Sequence, residues 1–181
     1  MPNGPDGLRI AELRADDAPQ ILPLCHMVQR LHVEKGDGSF REMSDAEWLG
    51  HLNTMIDGQG TGILAAWLGE GPPAGYLIHQ IEDTAKHPFR DPYREGYIQQ
   101  IAVAEAHHRR GIGTALINAA LSLFAEADAT RWRASWWDFN AASAALFAKL
   151  TKDAAVTTAM GPVSSQDFLE NSANPNSSRR I

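Results

Sequence analysis

One stretch decides the fold: Tyr97-Ile-Gln-Gln-Ile-Ala-Val-Ala-Glu-Ala-His-His-Arg-Arg-Gly-Ile-Gly-Thr-Ala115. Its first part is rich in isoleucine and valine and predicts a strand over Tyr97–Ala104. The part from His107 onward is a basic turn interrupted by glycine. It leads into a long helix, which the spacing predicts from Gly113 to about Ala127. A strand, a glycine turn and a helix in this order indicate a ligand site at the helix N-terminus.

This turn has the chemistry of an anion site. The first N–H groups of a helix lack partners within the helix and carry partial positive charge. Gly111 and Gly113 allow a sharp turn and close approach to a ligand, while Arg109 and Arg110 add charge and Thr114 adds a hydroxyl. A pyrophosphate would fit here. The Gly-Lys-Ser/Thr ending of a P-loop and the third glycine of a dinucleotide fingerprint are absent, and a basic turn without a ligand is the alternative.

The elements around this stretch follow from hydrophobic spacing and turn residues. Upstream, the pattern predicts a strand at Leu8–Leu13, a first helix capped by Asp16 or Asp17, a second helix begun by a capping box at Ser44–Glu47, a hairpin of Gly62–Leu68 and Ala74–Ile81, and a loop over Asp83–Glu95. Downstream, it predicts a strand at Arg131–Phe139, a helix at Asn140–Lys152 and a last strand at Ala154–Met160.

This order of elements predicts a single α/β (α+β) domain over residues 1–163. Its central sheet is expected to be mixed, mostly antiparallel and flanked by helices. A chain of 181 residues that is 44% hydrophobic can bury such a core without disulfides or metals. The remaining residues, 164–181, are rich in serine and asparagine, and we expect a polar C-terminal extension.

Composition narrows the function classes. The net charge of −6 disfavours a nucleic-acid partner, and no apolar run approaches the roughly 20 residues that a transmembrane helix needs. The N-terminal residues lack the pattern of a secretory signal. Cys25 is the single cysteine, which excludes an intrachain disulfide and favours the cytoplasm. No metal site is predicted, and a homodimer is left open.

Two segments together resemble the acetyl-CoA-dependent N-acetyltransferases of the GNAT superfamily. The turn His108-Arg-Arg-Gly-Ile-Gly113 is similar to that family's Gln/Arg-x-x-Gly-x-Gly/Ala motif. Downstream, Asn140-Ala-Ala-Ser-Ala-Ala-Leu-Phe-Ala-Lys-Leu150 is similar to the family's Asn-x-x-Ala-x-x-Leu-Tyr-x-x-Leu segment. The distance between the two segments also fits the family, and the resemblance is sharp from Tyr97 to Leu150.

The resemblance implies acetyl-CoA (coenzyme A) as the cofactor and a place for each of its parts. The predicted strands Tyr97–Ala104 and Arg131–Phe139 would splay apart and hold the pantetheine arm between them. The implied cofactor residues are Ile101, Ala102 and Val103 on the first strand, His108, Arg109, Arg110, Gly111, Ile112, Gly113 and Thr114 on the turn, and Asn140, Ser143 and Phe147 downstream.

Two positions depart from the family pattern. His108 stands where glutamine or arginine is usual, and a histidine can still donate a hydrogen bond. Phe147 stands where the family places the tyrosine that protonates the departing thiolate. Because an ordinary thiol has a pKa of about 8.5, the coenzyme A thiolate is a tolerable leaving group without a strong acid. We therefore expect slower or differently assisted catalysis.

The general base is not indicated by a single residue. Many family members carry a glutamate on the strand before the motif, where this chain has Gln99 and Gln100. Glutamine cannot accept the proton, but Gln99 could orient a water molecule. Asp138 is the first choice as base, because a strand over Arg131–Phe139 would place it on one face with Ala134 and Trp136. The other candidates are His79, Glu82 and Glu95.

The predicted function is transfer of acetyl from acetyl-CoA to a primary amine by direct attack in a ternary complex. The resemblance places the acceptor, a small molecule or a peptide, at Leu31–Met43 and Asp83–Glu95. Notable side chains near it are His32, Glu34, Phe40, Phe89, Tyr93, Trp136 and Trp137. A non-catalytic acyl-CoA-binding or sensing module is the alternative, and Phe147 favours it.

Overall fold

The structure of the chain is a computed structural model that describes residues 5–150. Every element named below lies in the compact unit Met1–Ala148. Three predictions fall outside the described residues: the last strand at Ala154–Met160, the end of the last helix at Lys152, and the start of the polar extension at residue 164.

Among residues 5–150, five strands form one sheet whose spatial order is the chain order. They are β1 (Leu8–Glu12), β2 (Thr61–Leu68), β3 (Gly75–Thr84), β4 (Tyr93–Val103) and β5 (Arg131–Ala134). Strands β1 to β4 are antiparallel to their neighbours, whereas β5 is parallel to β4. The predicted mixed, mostly antiparallel sheet and its β2–β3 hairpin are confirmed.

Helices cover both faces of this sheet. They are α1 (Leu22–Lys35), α2 (Asp45–Asp57), α3 (Ile112–Glu126) and α4 (Ala141–Ala148). Cys25 and Trp48 of α1 and α2 join the buried cluster that contains Tyr76 on one face of the sheet. On the other face, Phe124 of α3 lies directly over Gly96. Helix α3 is the crossover that parallel pairing of β4 and β5 requires.

The predicted helix starts have different outcomes. The capping box is confirmed: the Glu47 N–H donates to Ser44 Oγ at 3.3 Å, and Ser44 N–H donates to Glu47 Oε2 at 2.8 Å. The Ser44 N–H and hydroxyl both donate to the Glu47 carboxylate, and with the bond from Arg41 they lower the pKa of Glu47 to about 2. The predicted Asp16 or Asp17 cap is wrong. Residues Ala15–Ile21 form a 3-10 helix, and α1 begins only at Leu22 because Pro23 favours a first turn.

The predicted loop over Asp83–Glu95 is too long, because both of its ends are strand and the loop is confined to residues 85–92. Strand β3 continues to Thr84 and pairs there with Tyr93, the first residue of β4. Arg94 donates to both carboxylate oxygens of Asp83, at 2.7 and 2.9 Å. Cross-strand pairs of this kind stabilise a hairpin whose two faces are both polar, and such a hairpin shows no hydrophobic alternation.

The predicted strand over Arg131–Phe139 is too long. Strand β5 ends at Ala134, opposite Ile98, while β4 continues to Val103. Beyond Ala134 the chain is held by aromatic contacts instead: Trp136 stacks on Phe147 with ring centres 5.1 Å apart. Within the described residues, the β5 side of β4 is therefore unpaired from Gln99 to Val103, which is the predicted splay.

A substitution at Gly96 tests the contact between the sheet and α3. A Cβ atom added to Gly96 would lie 2.2–2.5 Å from the ring of Phe124. We expect Gly96→Ala to lower the free energy of unfolding by about 1–3 kcal/mol, the range for overpacking a core. Urea unfolding measures the change.

The control for this substitution is Gly50→Ala. Gly50 lies exposed within α2, and a Cβ atom there meets nothing within 4 Å. This variant should gain roughly 0.5–1 kcal/mol from helix propensity. Adding Phe124→Leu to Gly96→Ala should recover part of the loss, and a Gly96→Ala protein as stable as the wild type would contradict the packing.

Candidate functional site

The open edge of β4 presents backbone groups in a fixed pattern. The Ala104 N–H donates to Ala74 O of the neighbouring chain segment at 2.8 Å. Because these groups alternate in an antiparallel ladder, the N–H groups of Ile101 and Val103 are directed to the unpaired edge. The Val103 carbonyl accepts a hydrogen bond from His108 Nε2 at 2.9 Å. The N–H groups of Ile101 and Val103 and the carbonyl of Ile101 are therefore available to bind a ligand.

In the turn after this edge, Gly111 makes the sharp bend that the sequence predicts, whereas Gly113 already lies in α3. Arg109 and Gly111 both have left-handed φ angles, of 59° and 81°. Helix α3 then begins at Ile112, and the N–H of Ala115 donates to Gly111 O at 3.0 Å. The N–H groups of residues 112–114 come before this bond and have no partner within the helix. They stand beside the exposed, positively charged Arg110, so the turn can receive an anion.

Helix α4 brings the downstream segment against the turn. Asn140 caps this helix, because its Oδ1 accepts from the Ser143 N–H at 3.0 Å. Leu146 packs so closely on Gly113 that a Cβ atom there would lie 3.1 Å from Leu146 Cδ2 and 3.8 Å from Val103 Cγ2. The end of β4, the start of α3 and helix α4 therefore meet at one place. The predicted cofactor roles of Asn140 and Ser143 stay predictions.

Phe147, which stands where the family has its proton-donating tyrosine, lies in the protein interior. Phe147 is 2% exposed. Its ring stacks on Trp136 at an interplanar angle of 11°, and the ring of Trp132 lies 6.3 Å away. The phenylalanine thus anchors α4 to the chain after β5.

Both glutamines of β4 are held by side chains on the face of the sheet that α1 and α2 cover. A β-bulge sets Gln99 between the paired residues on either side of it. Gln99 Nε2 donates to Gln80 Oε1 at 2.6 Å, and Tyr76 OH donates to Gln100 Oε1 at 2.5 Å. The sequence signal for this bulge is a pair of adjacent polar residues where a regular strand would alternate.

The structure does not bring the three predicted catalytic residues together. His79 lies on the α3 face, 5% exposed, with its ring 6.0 Å from that of Phe124, whereas Gln99 is held on the other face. Asp138 lies beyond the end of β5, so it does not share a strand face with Ala134. It is exposed and accepts the Phe139 N–H at 2.8 Å. Their catalytic roles stay predictions.

The two remaining base candidates are joined by one arginine. Arg133 donates to Glu95 at 2.7 Å and to Glu82 at 3.1 Å. Its guanidinium carbon also lies 3.7 Å from the ring centre of Tyr97. Burial lowers the pKa of Arg133, but the bonds to Glu95 and Glu82 outweigh it and raise the pKa overall. Both carboxylates are thereby committed to an ion pair.

Residues from the predicted acceptor region form an aromatic cluster with the chain after β5. The cluster consists of His32, Phe40, Trp137 and Phe139. Phe40 lies 4.9 Å from His32 and 5.4 Å from Trp137, measured between ring centres, and Trp137 stacks on Phe139 at 5.9 Å. By contrast, Phe89 is 91% exposed at the tip of the β3–β4 hairpin.

Two kinds of feature are absent from the described residues. Between residues 5 and 150, no helix is both long enough and apolar enough to cross a membrane. In the same part of the chain, no group of three His, Cys, Asp or Glu side chains is placed to hold a metal ion.

Fold and site define a class of protein: an α/β domain whose fourth strand, β4, is unpaired along half an edge and is followed by a turn that leads into a helix N-terminus. A family model described as the acetyltransferase (GNAT) family matches residues 24–151. This match covers most of the chain, so the chain belongs to the GNAT acetyltransferase family. No curated protein matches the sequence significantly.

Several solved structures share the fold. A mutant of the BH1408 protein from Bacillus halodurans is 19% identical, with a TM-score of 0.78 over 86% of this chain and 99% of that one. An aminoglycoside acetyltransferase from an uncultured soil metagenomic sample, in complex with sisomicin, is 20% identical (TM-score 0.64; 88% and 97%). A ribosomal-protein-alanine N-acetyltransferase from Brucella melitensis is 20% identical (TM-score 0.66; 87% and 98%).

The buried ring of His79 makes stability depend on pH. Among residues 5–150, neither ring nitrogen of His79 has a hydrogen-bond partner. Burial lowers the pKa of His79, a shift that the charge of Glu12 opposes. The unfolded chain, with a histidine pKa of about 6.5, therefore binds the proton more readily. The stability due to neutral His79 is complete above that value and is lost as the pH falls through the lowered folded pKa.

We expect His79→Leu to lose less stability than the wild type between about pH 7.5 and about pH 5. Urea unfolding at both pH values measures this, with His87→Leu on the exposed hairpin as the control. Equal losses in wild type and His79→Leu would contradict the neutral, buried ring.

Proposed function

We propose that this protein is an N-acetyltransferase that moves acetyl from acetyl-CoA to a primary amine by direct attack in a ternary complex. One observation carries the proposal: the unpaired edge of β4, residues Gln99–Val103, runs directly into the left-handed turn at the start of α3. An extended amide arm that ends in a pyrophosphate matches this pair of features. Acetyl-CoA has that form and supplies an activated acetyl group.

The chain's own groups would divide the binding between them. The N–H groups of Ile101 and Val103 would pair with the arm as an added strand does, and one of them would stabilise the developing oxyanion. The N–H groups of residues 112–114, with Arg109 and Arg110, would hold the pyrophosphate. His108 would act through its bond to the Val103 carbonyl, which sets the angle between strand and turn.

The proposal includes two classes of acceptor, a small molecule and a peptide. Two of the similar structures are named for an aminoglycoside and for a ribosomal protein as acceptors. The net charge of −6 favours the approach of a cationic amine of either kind.

The first experiment measures the melting temperature with and without acetyl-CoA, with ATP and NAD as comparison ligands. A ligand at 100 times its Kd stabilises the native state by about 2.7 kcal/mol. A rise with acetyl-CoA alone supports the proposal, and an amine screen that follows thiol release then tests transfer. No rise at saturating acetyl-CoA would contradict it.

A carboxylate placed in the turn should remove this binding. Gly111 has a φ of 81° and open space around its Cα, so Gly111→Asp adds a negative charge to the anion site. We expect acetyl-CoA affinity to fall at least about 100-fold, since repulsion replaces a charge-assisted contact. Isothermal titration calorimetry measures the change.

The matched control is Gly7→Asp. Gly7 has a nearly equal φ of 78° and also has nothing within 4 Å, but it precedes β1 at the far edge of the sheet. The same backbone strain and charge there should leave the acetyl-CoA affinity unchanged. If Gly111→Asp bound acetyl-CoA as tightly as Gly7→Asp, the turn would not be the pyrophosphate site.

The alternative, a non-catalytic acyl-CoA-binding module, rests on Phe147. If the enzyme is slow because it lacks a general acid, Phe147→Tyr should raise kcat roughly tenfold. This gain is smaller than the ~100-fold that general acid catalysis typically contributes. Steady-state thiol release measures kcat, and Phe89→Tyr on the exposed hairpin is the control. An unchanged kcat would show that the departing thiolate takes its proton from elsewhere. Acetyl-CoA binding without turnover of any amine would support the alternative.

A further inference from the structure

Helix α1 carries His32 across the sheet to the opening beside β4. Near its start, Cys25 is hydrogen-bonded to Tyr76 of β3. The helix then passes against β4, and His32 contacts Phe139, beyond the end of β5, with ring centres 5.7 Å apart. Residues seven apart lie on one face of a helix, so His32 is directed to the sheet as Cys25 is. It lies over the space between the unpaired edge of β4 and the chain that follows β5.

The tautomer of His32 is set by the helix itself. His32 Nδ1 lies 2.8 Å from the backbone oxygen of Val28. A carbonyl oxygen can only accept a hydrogen bond, so Nδ1 carries the proton and the neutral ring has its lone pair on Nε2. Between residues 5 and 150, no protein group forms a hydrogen bond with Nε2, and the ring is half-buried. His32 thus offers a fixed basic nitrogen.

Aromatic rings pack against the imidazole of His32. Phe40 and Phe139 both contact the His32 ring, and Trp137 contacts both of those phenylalanines. Aromatic faces attract cations, and their bulk excludes water. An ammonium group that entered here would be attracted by the rings and would find Nε2 as its one basic neighbour in the cluster.

The charged side chains on the elements packed around His32 do not compete for its proton. Glu34 and Lys35 on α1 are exposed. Asp37, in the loop that carries Phe40, is bonded to Ser39, and Asp138 accepts the Phe139 N–H. No hydrogen bond or ion pair links any of these groups to the imidazole.

We propose that His32 is the general base of the acetyl transfer, an inference that rests on the proposed function. The acceptor is a primary ammonium on a group small enough to sit among the rings. Its nitrogen gives one proton to Nε2 and gains a lone pair. That lone pair forms the C–N bond as the C–S bond of the thioester breaks, the second nitrogen proton passes to the thiolate, and the imidazolium releases its proton to water.

The other candidate bases are less suited to accept the proton. Glu82 and Glu95 are both paired with Arg133, and a carboxylate in an ion pair is a weaker proton acceptor. Gln99 has no basic atom. Among these candidates within residues 5–150, His32 alone combines a defined tautomer with an unbonded nitrogen beside the opening.

Steady-state kinetics with His32→Gln tests the proposal. We expect kcat/KM for the amine to fall about 100-fold or more, the usual contribution of a general base, while the acetyl-CoA-induced rise in melting temperature persists. The acidic limb of the wild-type pH–rate profile should also disappear. His51→Gln, on the exposed surface of α2, is the matched control and should keep the wild-type rate and profile.

Two further readouts separate a base from a merely structural ring. Added imidazole should restore activity to His32→Ala in proportion to its concentration. Nitrogen-15 spectra of the wild-type protein should show the neutral His32 ring with its proton on Nδ1. A ring protonated on Nε2, or a His32→Gln enzyme with the wild-type rate and pH profile, would overturn the assignment of His32.

The two proposals fail in different ways. A wild-type protein that binds acetyl-CoA but acetylates no amine would overturn the transferase itself, and the base with it. A wild-type protein that acetylates an amine, with His32→Gln equally active, would overturn His32 alone and leave the transferase intact.

Discussion

The structure depends on a mismatch in length between two neighbouring strands. Strand β5 pairs with β4 only over Glu95–Ile98 and then ends, whereas β4 continues to Val103 with its other edge bonded to β3. A strand edge left unpaired offers N–H and C=O groups in register for another extended chain. Because the turn after β4 brings the first residues of α3 against Val103, the same geometry sets a helix N-terminus at the end of the opening. Sheet pairing alone thereby creates both halves of the site that we propose for acetyl-CoA.

The opening has a different character on each side. On the turn side, Arg109 and Arg110 concentrate positive charge in a chain whose net charge is −6, which suits a phosphate. On the α1 side, the cluster around His32 is aromatic, and aromatic faces attract a cation such as the amine that we propose as acceptor. Segment 135–139 joins the two sides, because Trp136 contacts α4 while Trp137 and Phe139 contact the cluster. In the proposed function, this segment of packed rings would form the boundary between the cofactor site and the acceptor site.

Local signals made much of this predictable from sequence, and long-range contacts account for the rest. The turn after β4 and the Ser44 capping box are set by neighbouring residues, so spacing alone predicts them. The length of β5 depends on where Trp136 and Trp137 pack, which no local pattern indicates. The β4 segment Ile98-Gln-Gln-Ile101 shows an intermediate case: isoleucines three apart face the same way only across a bulge. The orientation of His32 depends on Phe139, which is 107 residues away in the chain.

Amide hydrogen exchange tests the central claim most directly, because that claim concerns individual N–H groups. With NMR detection, the amides of Ile101 and Val103 should exchange quickly in the free protein and slow markedly when acetyl-CoA is added. The amide of Ala102 faces β3 and should exchange slowly in both states. If Ile101 and Val103 exchanged at the same rates with and without saturating acetyl-CoA, the open edge of β4 would not be where the cofactor binds.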